Sequence, residues 1–250
     1  MKTNTFLLIS SLVLACIQAQ ANDITDNRQP ETKVQWRMSL GANRYTEPKM
    51  QLLGTEVGLH VLAHGLDDLP NWQFEGDVLL GRQKYTSTDT GDLNGVINIE
   101  TRWRALTSLY RTGNQQEGLS AGLGLHTMWN DLRGQTTTHH NGYERQATQI
   151  WLPLRWTSAT AWELESGLLL RGMHTSRLSQ ANASNADIRN TQTSGAYLQV
   201  STRLKLDDGT HVSPFVRMTR LGDSDTVYSN GQSWYEPHSK RWQIGAALNF

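Results

Sequence analysis

From residue 34 onward the chain alternates apolar and polar side chains. Val34, Trp36, Met38, Leu40 and Ala42 share one face of an extended segment, and Gln35, Arg37, Ser39, Gly41 and Asn43 share the other. A repeat of two is the period that a β-strand imposes. The same division recurs with Leu53, Val57 and Leu59 against Glu56, His60 and His64, and with Trp72, Phe74, Val78 and Leu80 against Gln73, Glu75, Asp77 and Leu79. It returns in Ile97, Ile99 and Trp103 against Glu100, Arg102 and Arg104, and in Leu119, Leu123, Leu125 and Trp129 against Ser120, His126 and Asn130. Five more segments follow around residues 145–156, 162–171, 195–204, 212–219 and 241–250, giving ten strands, an even number.

The connections alternate in length. Asp67 to Pro70, Thr112 to Glu117, Ser158 to Thr160 and Asp207 to Thr210 are short, whereas Tyr85 to Gly95, Arg133 to Gly142, Arg177 to Gln192 and Asp223 to Pro237 are longer and rich in Asn, Ser, Thr, Gly and Asp. Thr46 to Lys49 is the exception on the long side. Short turns on the periplasmic side and longer outer loops are the habit of bacterial outer-membrane barrels. These features predict an all-β fold, an antiparallel transmembrane β-barrel of about ten strands over residues 33–250.

The residues before the barrel have a different composition. Lys2, the apolar stretch Phe6 to Ile17 and the small-x-small triplet Ala19-Gln20-Ala21 form a secretory signal peptide over residues 1–21, with cleavage after Ala21. Leu12-Val13-Leu14-Ala15-Cys16 offers the alternative of a lipidated Cys16, although Leu14 is bulky where lipoprotein boxes carry a small residue. Residues 22–32 are polar, do not alternate and read as a periplasmic tail. The whole chain holds 23 basic and 23 acidic residues and a single cysteine, which lies within the leader. A disulfide is therefore excluded from the mature chain. The balance of charge removes the basic surplus that a nucleic-acid partner requires, and no apolar run past the leader reaches the roughly 20 residues of a membrane helix.

Aromatic placement supports the barrel. Trp36, Trp72, Trp156 and Trp162 fall at the inferred periplasmic strand ends and Tyr45 and Trp129 at the opposite rim, where interfacial girdles form. The last segment, from Trp242 to Phe250, looks like the C-terminal strand signal that directs outer-membrane proteins to the barrel-assembly machinery. Pro153 and Pro214 interrupt proposed strands and predict a bulge or a strand end at each. A soluble β-sandwich would also alternate, but its inward face would be apolar, and here the face opposite the apolar one carries many charges.

Arg44-Tyr45-Thr46-Glu47-Pro48, the stretch from Gly142-Tyr143-Glu144-Arg145 to Leu152-Pro153-Leu154, and Tyr235-Glu236-Pro237 with the terminal strand resemble a family of Gram-negative outer-membrane barrels whose function is unsettled. The resemblance runs over most of the mature chain and implies the fold without an activity. In strand number the chain is similar to the omptin surface proteases, whose sites combine acidic residues with an Asp-His couple above the membrane. No matching set stands out here, so no omptin catalytic residue is carried over.

The polar face holds Glu56, His60, Glu75, Asp77, Glu100, Arg102, Arg104, Arg155, Glu163, Glu165, Arg171, Arg203, Arg217 and Arg241. Charges of both signs on neighbouring strands would pair across a narrow lumen, because an isolated ion there is costly. With inward Leu62, Leu79, Leu106 and Phe215, the set predicts a side-chain plug; the alternative is the lining of a narrow channel for small solutes or ions. His139-His140, with Asp131 or His126, suggests a metal, yet adjacent residues on an extended chain point opposite ways. His126 with Ser120, or His174 with Ser176, would serve a membrane hydrolase, omptin-like or lipid-acting, but no Gly-x-Ser-x-Gly spacing accompanies them. The resulting expectation is a monomeric barrel in the Gram-negative outer membrane. Lipid and the assembly machinery are its partners, its loops are available to an external ligand, and it carries no cofactor and no metal.

Overall fold

The computed structural model describes residues 33–66, 69–112, 117–206 and 210–249. The leader, Cys16, the tail at 22–32, Phe250 and most of three short turns lie outside these residues. Among the described residues fourteen strands form two sheets, one of twelve strands and one of two, and the larger closes on itself. Its wall begins with β1 (Lys33–Glu47), β2 (Met50–Leu66), β3 (Leu69–Ser87), β4 (Gly91–Arg111), β5 (Gly118–Asp131), β6 (Glu144–Thr157) and β7 (Trp162–Ser176).

The eighth position in the wall is shared by β8 (Ile188–Gln192), β9 (Gly195–Thr202) and β10 (Leu204–Lys205), and β11 (His211–Leu221) is the ninth. A small hairpin of β12 (Val227–Ser229) and β13 (Gln232–Trp234) precedes the tenth, β14 (Ser239–Asn249). Closure is made by β14 against β1, antiparallel from Arg37↔Asn249 to Thr46↔Lys240. The chain is thus a ten-stranded antiparallel barrel, and closure removes the exposed sheet edges that an open sheet would present.

Outward positions form an apolar surface. Met38, Leu40, Val57, Leu80, Leu123, Leu152, Leu168 and Ile244 are all exposed, while Glu56, Asp77, Glu100 and Arg102, on the opposite faces of their strands, are buried. This is a soluble protein turned inside out, and hydrocarbon is the medium in which such a surface costs nothing. Among the described residues no helix is long and apolar enough to cross a membrane.

Neither internal proline produces a bulge. Pro153 keeps its place opposite Gly167, and the ladder with β5 simply passes from Ala121↔Leu154 to Gly124↔Trp151. Pro214 pairs with Ala246 on β14, and on its other side lies the break between β9 and β10. In each case the missing donor falls where pairing lapses without a change of register. The bulges occur elsewhere. Leu170 is skipped between Trp151↔Leu169 and Ile150↔Arg171, and Gly95, at φ 79°, between Gln83↔Val96 and Lys84↔Asn94.

The longer connections are more ordered than their composition suggests. Tyr85 to Gly95 is largely strand, since β3 runs to Ser87 and β4 starts at Gly91. The stretch 177–192 holds a 3-10 turn at Leu178–Gln180 and all of β8, and the stretch 223–237 holds the β12–β13 hairpin. Thr, Ser and Asn favour loops by composition, but Thr suits a pleated strand, and these segments continue their neighbours' pairing.

Candidate functional site

The lumen has three levels. At the short-turn end lies a cavity of about 410 Å³, lined by Arg37, His60, Glu75, Asp77, Arg104, Arg155, Glu163, Arg203 and Phe215 among others. The charged part of its wall runs into a layer of ion pairs, and at the hairpin end the barrel is filled by an apolar cluster of Tyr45, Leu52, Val96 and Leu132.

The middle layer has two linked centres, each built around a carboxylate that is 0% exposed. Glu100 accepts from Arg102 Nε at 2.5 Å, stands 2.8 Å from His126 Nε2 and pairs with Arg241. Arg241 also reaches Glu56 at 3.3 Å, and Glu56 accepts from Asn43 Nδ2 at 2.9 Å and from Gln243 Nε2 at 2.6 Å. Gln243 Oε1 in turn accepts from Arg102. The second centre is Glu165, which accepts from Arg104 Nη1 at 3.0 Å, Arg155 Nε at 2.8 Å and the Tyr197 hydroxyl at 2.9 Å. Arg104 bridges onward to Asp77 at 2.9 Å and Glu75 at 2.8 Å, and Arg155 Nη2 donates to Glu75 at 2.7 Å. Multiple partners of opposite sign are what offset the desolvation of charges in so confined a space.

The remaining inward residues sit around this layer. Arg217 lies over the Tyr197 ring, 3.8 Å from its centroid, and donates to Gln199 at 3.2 Å. Glu163 is 3.5 Å from Arg155, and Arg203 stands exposed at the cavity mouth. Inward Leu79 and Leu106 are almost wholly buried, Leu79 against the cavity.

Two assignments need correction. Arg171 is exposed on the outer face, because the extra residue at Leu170 reverses the in-out phase for the rest of β7. Tyr45 is not a rim aromatic: it is buried in the lumen at 8% exposure, its hydroxyl donates to Glu47 at 2.6 Å, and the Arg145 guanidinium lies 5.8 Å from its ring. Its odd position on β1 puts it on the same face as Ser39 and Asn43. Trp156, Trp162 and Trp242 are exposed on the outside, Trp36, Trp72 and Trp129 partly so, and Trp72 stacks on Phe74 with centroids 6.2 Å apart. Trp151, which alternation assigns inward, packs edge-on against Tyr197.

The histidine pairs suggested by the sequence do not assemble. His126 contacts Glu100 and Gln149 rather than Ser120, and His174 lies 3.0 Å from Glu236 rather than beside Ser176 as a base. His139 and His140 make separate contacts to Gln135 and Thr138. Among the described residues no group of three or more His, Cys, Asp and Glu side chains is placed to hold a metal ion. What the sequence did not single out is Ser39, whose hydroxyl is 2.7 Å from His60 Nε2, while His60 Nδ1 is 2.9 Å from Asp77.

At the rim that carries the longer connections Arg145 joins Glu47 at 2.5 Å and Glu236 of the 223–237 connection. Asn190 donates to the backbone oxygens of Asp225 and Trp234, which ties that connection to β8. At the end of β5, Arg133 clasps Asp131 at 2.7 Å.

Comparison with solved structures places this architecture. The chain is similar to the outer membrane protease OmpT from Escherichia coli, with a TM-score of 0.51 and 12% identity over 90% of this chain and 98% of that one. The fold is that of an outer-membrane β-barrel. Lesser likeness extends to the translocator domain of the autotransporter NalP from Neisseria meningitidis, at a TM-score of 0.42 and 9% identity over 97% of this chain and 95% of that one. No protein-family model matches the sequence. No curated protein matches it.

Proposed function

We propose that the protein is a monomeric, non-conducting barrel of the Gram-negative outer membrane, with ordered outer hairpins as its working surface for external contact or envelope stability. The observation that carries this reading is the layer in which Glu100 and Glu165, both fully buried, tie β4, β6, β7 and β14 together across the lumen. Small barrels fill their interiors in this way. The apolar outer face fits lipid as the surrounding partner, and the leader and terminal strand fit export and the barrel-assembly machinery. The likeness to OmpT concerns the fold and brings no protease residue with it.

A narrow channel has one observation in its favour, the charged cavity at the short-turn end, but Glu100, Glu165 and Arg241 are not among the residues that line it. Orientation and location are tested by inserting an epitope between Asn230 and Gly231, at the turn of the β12–β13 hairpin. Antibody should bind intact cells without permeabilisation. Staining only after the outer membrane is opened would overturn the reading.

A further inference from the structure

We infer that Ser39, His60 and Asp77 form a nucleophilic triad whose histidine and aspartate line the luminal cavity and whose serine is buried just behind its wall, able to hydrolyse short-chain carboxylic esters that enter from the short-turn end. This goes beyond the non-conducting barrel and does not depend on it. The three residues come from the inward faces of β1, β2 and β3, and they are brought together by register: His60 lies directly opposite Asp77, and Ser39 lies opposite Gly58, two residues along from His60.

The atoms meet in the order that the chemistry needs. Asp77 Oδ1 is 2.9 Å from His60 Nδ1, and His60 Nε2 is 2.7 Å from Ser39 Oγ. With the imidazole proton on Nδ1 and donated to the carboxylate, Nε2 is left to accept the serine proton. The other Asp77 oxygen is held by Arg104 at 2.9 Å, which fixes the carboxylate and favours its ionised form. Gly58 makes the arrangement possible. A Cβ there would overlap Ser39 Oγ and sit 2.9 Å from His60 Nε2.

His60 and Asp77 line the cavity, as do Arg37, which precedes Ser39 on the same face, and Ala247, its cross-strand neighbour on β14. At about 410 Å³ the space suits a small ligand. In the first step Ser39 Oγ bonds to the ester carbonyl carbon and its proton passes to His60 Nε2. Arg37 is the cation on that face available to the oxyanion. Collapse breaks the bond to the leaving oxygen, which takes the proton from His60 and departs as an alcohol. Water then attacks the acyl-serine, giving its proton to His60; the carboxylic acid leaves and Ser39 recovers its hydrogen. The sum is ester plus water to acid plus alcohol.

The test uses the folded full barrel in detergent, its folding confirmed by the shift of its band on heating. It is treated with a fluorophosphonate, and the modified residue is mapped by mass spectrometry; turnover is followed separately with p-nitrophenyl acetate. Phosphonylation of Ser39, with ester hydrolysis reduced at least 100-fold in Ser39→Ala and in Gly58→Ala, is the expected result. Because mapping is done on the unaltered protein, it stands even where a variant fails to fold. No label, a label on another residue, or a labelled Ser39 without ester turnover overturns the proposal.

Discussion

Arg104 on β4 donates to Glu165 on β7 at 3.0 Å, joining two strands that are separated in the wall by β5 and β6. A bond of that kind crosses the lumen, which hydrogen bonds of the ladder never do. Glu165 also serves Arg155 and Tyr197, so its loss would leave two buried guanidinium groups without their shared counter-charge. Glu165→Leu should destabilise the folded barrel by about 3–5 kcal/mol, the range for breaking a buried pair from one side. Urea titration of the folded band in lipid measures this. A loss below about 1 kcal/mol, the range of exposed pairs, would show that the layer does not hold the barrel closed.

Gly167 faces the Tyr197 ring so closely that an added Cβ would overlap it. Gly167→Ala should therefore cost about 1–3 kcal/mol through overpacking. Combining it with Tyr197→Leu should give less than the sum of the two single losses, because the clash is relieved in the pair. Strict additivity in the same titration would contradict the contact.

Arg171 supplies a test of the bulge at Leu170. A spin label at Arg171→Cys should report contact with apolar oxygen rather than with a water-soluble nickel chelate, since the position faces outward. A label at Leu106→Cys, an inward position away from the cavity, should be shielded from both within the lumen. Reversed accessibilities would restore the simple alternation that the bulge breaks.

At the rim, Arg145 holds Glu47 and Glu236, so Arg145→Gln should loosen the 223–237 connection while leaving the barrel folded. Limited proteolysis should then cut within 223–237 at least several times faster than in the unaltered protein. Equal rates would indicate that the clasp to Asn190 suffices on its own.

The ten strands and the two faces were legible because closure in lipid forces a repeat of two and rewards nothing else. Where the repeat is intact, as from Glu56 to His60 and from Glu100 to Arg104, each side chain lies on the face its position assigns. Arg171 escaped because one inserted residue reverses the phase, and Leu169-Leu170-Arg171 carries no Gly or Pro to mark the place. Tyr45 was misplaced for a different reason: its chemical type suggested a girdle, whereas its parity with Asn43 already pointed inward. Ser39, His60 and Asp77 were each assignable to the lumen, but alternation gives faces and not register. Only the pairing of β1 with β2 and β2 with β3 brings the three into contact.

The central claim is that the ion-pair layer closes the lumen, and single-channel recording of the refolded barrel, residues 22–250, in a planar bilayer tests it most directly. The Glu100 and Glu165 centres predict no steady conductance from a sample whose band shifts on heating. Sustained, ion-selective openings from such a sample would contradict the account and make the charged cavity the mouth of a channel.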